Sequence, residues 1–173
     1  KNDYLSFKKK LWNKIIRKSK PDREQCFMQI ALKRANEGHF FVTNNCASDI
    51  LSELVQDGVL GNEISGYFIT HDIYEEWALE NIIATTFTKR SNNESFFGSI
   101  GDSLPMRRSF RNWISEKLLL QDGEIKSFIN EVFESQAINR FWKDEILISV
   151  MLSNYAATFF EYFEKKLLEN NME

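Results

Sequence analysis

Apolar residues along this chain recur mostly at intervals of three and four, the spacing that gathers side chains on one face of an α-helix. Tyr4, Phe7, Leu11 and Ile15, with Trp12 and Ile16 beside them, predict a helix over residues 4–18. Cys26, Phe27, Ile30, Ala31 and Arg34 trace a second over 22–37. Pro21 suits its first turn, because a missing N–H costs nothing there, and Gly38 suits a left-handed stop. Ile50, Leu51, Leu54 and Val55 predict a third helix over 46–57, closed by Gly58. A long fourth helix begins near residue 72. Ile73, Trp77, Ile83 and Phe87 lie near one of its faces, with Ala78 and Leu79 alongside, while Glu75, Glu76 and Glu80 fall mainly elsewhere.

Between the second and fourth helices the period shortens. His39-Phe40-Phe41-Val42 is a short strand candidate, and Thr43-Asn44-Asn45 carries turn chemistry. Val59-Leu60 and Tyr67-Phe68-Ile69 read as paired extended pieces around a turn at Gly61–Gly66. Helix, short strand, helix, hairpin, helix is the wiring of a winged helix, a helix-turn-helix variant with a β-hairpin attached.

Beyond residue 87 the texture changes. Residues 88–94 are polar and read as a loop, and Phe96-Phe97-Gly98 with Ile100-Gly101 as a tight apolar bend. Asp102 or Ser103 can cap a helix that carries Pro105 in its first turn and runs to about Leu120. Further helices are expected over 124–135, 139–152 and 155–169, the last spaced by Tyr155, Phe159, Tyr162, Phe163 and Leu167. The expected class is mainly α: a winged helix, helices plus a small β-hairpin, followed by an all-helical extension. The expected divisions are a basic helix at 1–20, the winged helix at 21–90 and the extension at 91–173.

Composition supports a packed chain. The apolar fraction is 43%, and fifteen Phe and four Trp supply large anchors. Charge is unevenly spread: residues 1–20 carry a net +7 and the remainder −10. The lysines of the first helix could form a patch for phosphate or nucleic acid, or partner acidic surface elsewhere in the chain or a longer parent. Cys26 and Cys46 have no metal spacing, and buried free thiols in a reducing cytoplasm are the plain expectation. No run approaches the ~20 apolar residues of a membrane span, and no secretory signal is visible, so no membrane partner is expected. A start at Lys rather than Met suggests a segment of something larger.

The chemical motifs of common enzymes are missing. No G-x-x-x-x-G-K-[ST] cradles a triphosphate, no G-x-S-x-G elbow presents a serine, and no H-E-x-x-H or cysteine cluster holds a metal. His39 and His71 make a weak acid–base pair. The segment is therefore read as non-catalytic, with no cofactor of its own. The small cluster Arg107, Arg108 and Arg111 could dock an anion, although surface arginines more often find carboxylates.

One junction stands out. Thr70-His71-Asp72 joins the strand Tyr67–Ile69 to the long helix, and Thr70 or Asp72 can cap that helix. An imidazole at a helix start is placed where an anion could be held, and it could equally just pack the strand–helix turn. A hydrophobic strand, then His-Asp, an aliphatic residue, acids and Trp-Ala-Leu, resembles the end of the winged-helix domain of STAND-class signalling NTPases, the NACHT and NB-ARC types. His71-Asp72 resembles their Met-His-Asp motif, with Thr70 in place of methionine. The resemblance covers about residues 22–90. It implies that His71 reaches the β-phosphate of ADP bound by a nucleotide-binding domain of the same chain, that Asp72 supports the turn and caps the helix, and that the parent binds ADP or ATP. It also implies a cytoplasmic, regulatory role. The basic helix 4–18 would then end a helical lid, and the region after residue 90 would relay nucleotide state to a sensor or to other protein surfaces.

The rival from another class is a winged-helix module that binds nucleic acid or protein without any ATPase parent. Winged helices often lay their third helix in the major groove. Residues 46–57 carry Asp49, Glu53 and Asp57 and no Lys or Arg, so duplex DNA is disfavoured through them.

Overall fold

The computed structural model describes residues 2–120, 122–152, 156–157 and 160–161. The chain is mainly α with one two-stranded antiparallel hairpin. The helix expected over 155–169 lies largely outside the described residues.

Helix α1 spans Asn2–Trp12 and widens into a π-helical turn at Asn13–Arg17. Lys18 (φ 45°) and Ser19 (φ 62°) then take left-handed backbone, which reverses the chain. Helix α2, Pro21–Glu37, starts on Pro21 and ends where Gly38, at φ 67°, returns its N–H to Arg34 O. Acids Asp22 and Glu24 occupy its first turn, where the helix dipole favours negative charge.

Helix α3 is Ser48–Gln56. Strands β1 (Leu60–Glu63) and β2 (Gly66–Ile69) follow, in the register Leu60↔Ile69 to Glu63↔Gly66. Gly66 takes φ 126°, and a Cβ there would lie 2.8 Å from Val42 O, so both conformation and space select glycine. The strand expected at 39–42 contracts to a single bridge, in which Val42 and Tyr67 exchange N–H···O bonds of 2.9 and 3.0 Å. Val42 is buried, while Phe41 beside it is half-buried and Phe40 and Thr43 are exposed, so this stretch has a single fully buried position to anchor a ladder.

Helix α4 is Asp72–Lys89. Trp77, Ala78, Leu79, Ile83 and Phe87 are buried as their spacing implies. Ile73 departs from the expectation at 41% exposed, because it belongs to the open first turn. Glu75 and Glu80 also depart from it. Both are buried, and each is compensated by a cation from another helix, Arg34 and Lys8.

The apolar bend expected at 96–101 is instead a helix, α5, over Asn93–Ile100. Asn92 Oδ1 accepts from Ser95 N at 2.7 Å and caps it. Phe96, Phe97 and Ile100 then share a buried face, and Gly101 at φ 70° ends the helix. Helices α6 (Leu104–Leu119), α7 (Gly123–Glu134) and α8 (Arg140–Met151) follow close to expectation. Asp122 caps α7 through Glu124 N, and Asn139 caps α8 through Phe141 N.

The chain divides into two compact units, one of residues 1–85 with 101–109 and the other of 86–100 with 110–173. In the first, Trp12, Ile16, Phe27, Ile30, Leu51, Leu54, Leu60, Ile69 and Leu79 are buried. The second has an aromatic core. Phe87, Phe96, Phe97, Phe110, Trp113, Phe128 and Trp142 form a network of ring pairs, for example Phe87–Phe128 edge-on at 5.1 Å and Phe97–Trp142 stacked at 4.8 Å. Edge-to-face and stacked ring pairs of this kind add to the stabilisation from burial.

Candidate functional site

Two groups fix the turn that carries His71. Thr70 donates its hydroxyl to Gly58 O (2.7 Å) and Val59 O (3.0 Å), and its N–H also goes to Val59 O (3.2 Å). It therefore ties the end of β2 back to the loop before β1. Asp72 is the first residue of α4, and its side chain is 76% exposed. Between them His71 is exposed. Its carbonyl accepts from Tyr74 N at 3.0 Å, and its ring meets Tyr74 edge-on with centroids 5.5 Å apart. The imidazole stands on the surface at the start of an 18-residue helix, not in the apolar interior.

Beneath it lies an ion-pair network. Arg34, from the last turn of α2, reaches Glu75 at 2.9 Å and Asp72 at 3.7 Å, and its guanidinium lies 5.4 Å from the centre of the Phe40 ring. Glu75 is 5% exposed, and its Oε1 is buried with no hydrogen-bond partner. Burial raises the Glu75 pKa; Arg34 opposes the shift, and the negative charge of Asp72 adds to it. Arg108 continues the network to Glu76 at 3.0 Å. Arg34 was legible in the sequence only as one side of a helix. Its partners lie about forty residues away, and no local spacing marks them.

Several cations of the basic segment 1–20 are paired within the chain. Lys8 pairs with Glu80, Arg17 with Glu24 at 3.5 Å, Lys18 with Asp57 at 2.6 Å, and Lys20 with Glu53 at 2.6 Å. Lys9, Lys10 and Lys14 are exposed. Arg23 completes the arrangement. Fully buried, it donates Nε to Ile16 O (2.6 Å) and Nη2 to Ile15 O (3.0 Å), and meets Asp57 at 2.6 Å. It joins the end of the π-helical turn to α2 and the end of α3. The hydrogen bond from Lys20 holds Glu53, and that from Lys18 holds Asp57, below the usual carboxylate range. Glu53 of α3 and Asp57 just past its end are thus engaged by the chain's own cations.

The arginine cluster divides in the same way: Arg108 takes Glu76, and Arg111 reaches Glu145 at 2.6 Å. The second unit also holds a polar cleft of about 610 Å³, lined by Arg90, Asn92, Asn93, Glu124 and Glu131 among others. Arg90 stacks on the face of Phe87 at 3.5 Å and donates to Glu124 at 3.1 Å.

The cysteines correct the reading of free thiols. Cys26 and Cys46 form a disulfide, with Cα atoms 5.9 Å apart, that joins α2 to the loop before α3. Folding brings together two residues twenty positions apart that share no motif, so the plain expectation of unpaired thiols fails. Among the described residues no group of three His, Cys, Asp or Glu is placed to hold a metal, and no helix is long and apolar enough to cross a membrane.

Chemically, the junction exposes an imidazole at the start of α4, with the Tyr74 amide of that first turn already given to His71 O. It presents no nucleophile–base pair. Compared with protein-family models and with curated protein sequences, the chain matches none.

Proposed function

We propose that residues 22–87 are the winged-helix sensor of a larger STAND-class signalling NTPase, working in the cytoplasm. In this reading the segment is regulatory and non-catalytic. A nucleotide-binding domain of the same chain holds ADP in the resting state, and His71 donates to its β-phosphate. Replacement of ADP by ATP removes that contact and biases a two-state interface, which the helices after residue 90 relay to a sensor region or to other protein surfaces.

One observation supports the reading above others: His71 is exposed at the handover from a hairpin strand to a long helix, on a turn pinned from both sides. A ring packed in the core could not meet a ligand held by another domain. Asp72 supports the turn through Arg34, which fits the supporting half of its expected role. That α3 carries no Lys or Arg weighs against duplex binding by the rival module, since a groove-reading helix needs outward cations.

The test is ADP retention in the longer chain that carries the P-loop. His71→Ala should release ADP and raise basal signalling. A variant that keeps ADP as the parent does removes His71 from the mechanism.

A further inference from the structure

The loop between α2 and α3 has few anchors. Of residues 39–47 only Val42 is buried. The segment is held by the Val42–Tyr67 bridge, by Lys33 Nζ donating to Thr43 O at 2.7 Å, and by the Cys26–Cys46 disulfide at its far end. Its aromatic residues lie on the hairpin. Phe40 stacks on Phe68 with centroids 5.2 Å apart, and Phe41 meets Phe68 edge-on at 5.7 Å. Phe40 also lies against Arg34, the residue that holds the His71 turn through Asp72 and Glu75.

The two sulfurs differ in access. Cys26 is 3% exposed, within the buried face of α2, while Cys46 is half-buried in the loop. A small thiol can therefore approach the disulfide from the Cys46 side. The helices on either side do not need the bond to stay packed, because Phe27, Ile30 and Ala31 of α2 and Leu51 and Leu54 of α3 are themselves buried.

We infer that Cys26–Cys46 is a thiol–disulfide switch, set by glutathione, that clamps the 38–47 loop and its aromatic residues over Arg34 when oxidised and releases them when reduced. This rests on the cytoplasmic setting proposed above, where disulfides that persist are usually redox-responsive. The chemistry is ordinary exchange. A glutathione thiolate attacks Cys46 Sγ, and the S–S electron pair leaves on Cys26 Sγ, which takes up a proton. A second glutathione thiolate attacks the glutathione sulfur of the mixed disulfide and releases Cys46 as a thiolate, which is protonated in turn. Two glutathiones become one glutathione disulfide, and the protein pair gains two electrons and two protons. Glutathione disulfide drives the reverse reaction.

The experiment is a series of glutathione redox buffers on this chain alone, without nucleotide, read by thiol alkylation and by amide hydrogen exchange. Reduction should raise exchange over 38–47 on the order of tenfold under conditions where α2 and α3 stay folded. Cys46→Ser should show the raised exchange in every buffer. Three results overturn the inference: resistance to millimolar glutathione, reduction only when α2 and α3 unfold, or reduction with no change over 38–47. If Cys46→Ser does not fold, the buffer series on the unaltered chain decides alone. No nucleotide enters the test, so its outcome is separate from that of the ADP experiment.

Discussion

Arg34 and Glu75 meet at 2.9 Å across two helices, with the carboxylate almost wholly buried and one of its oxygens lacking a partner. A carboxylate so placed is tolerated because a guanidinium faces it. The pair also sets the first turn of α4, and with it the position of His71.

Removing the cation should therefore cost more than removing both charges. Arg34→Ala leaves a buried, unpaired carboxylate and is expected to destabilise the chain by about 2 kcal/mol. Arg34→Met with Glu75→Leu, which keeps volume and removes both charges, should recover most of that loss. Urea unfolding of the three chains measures it.

The raised pKa of Glu75 gives a pH signature with a definite sign. In the folded chain Glu75 holds its proton more tightly than in the unfolded chain. Between the ordinary carboxylate value and the raised one, the folded state binds more protons. Stability contributed by this group is thus greatest at acid pH and falls as pH rises through that window. Glu75→Gln should abolish this component, seen as a flatter slope of unfolding free energy against pH above about 4.5.

Asp57 should behave in the opposite sense. Its pKa is lowered, chiefly by the hydrogen bond from Lys18 and also by Arg23, so its contribution is present above the ordinary carboxylate value and lost as pH falls below it. Arg23→Ala removes the buried fork that joins Ile15 and Ile16 carbonyls to Asp57, and a loss of about 3–5 kcal/mol is expected. Arg23→Lys should recover little, since one ammonium cannot reproduce the fork. Chemical denaturation of both variants checks this.

The disulfide closes a loop across twenty positions. Loop-closure entropy assigns it about 3 kcal/mol. Cys46→Ser should lower unfolding stability by that order in non-reducing buffer, and the gap should close when the parent chain is fully reduced.

Phe96 is buried amid the rings of the second unit, in contact with Phe87, Phe110, Trp113 and Phe128. Phe96→Ala should cost about 3–5 kcal/mol, read by calorimetry as an earlier melting of that unit.

Much of this fold was legible because local chemistry and tertiary packing agree. Pro21 and Gly38 bracket α2, and the glycines mark the hairpin, although residues 61–63, expected in its turn, continue β1 and pair with 66–68. In residues 96–101 the glycines suggest a bend, while the signal for α5 sits earlier, in the cap supplied by Asn92. His71 could be singled out from its place between a strand and a helix. The pairs Arg34–Glu75, Lys8–Glu80 and Cys26–Cys46 could not, because they are long-range. Ordinary helical spacing puts Glu75 and Glu80 on the wet side of α4, and only the cations contributed by other helices make their burial affordable.

Under the proposed STAND reading, the most direct measurement is the nucleotide content of the proposed parent NTPase purified with and without His71→Ala. Loss of a charge-assisted contact to phosphate should weaken ADP retention by about tenfold or more, with the fold of this segment unchanged by circular dichroism. Equal ADP occupancy in the two preparations contradicts the assignment of His71 as the nucleotide contact.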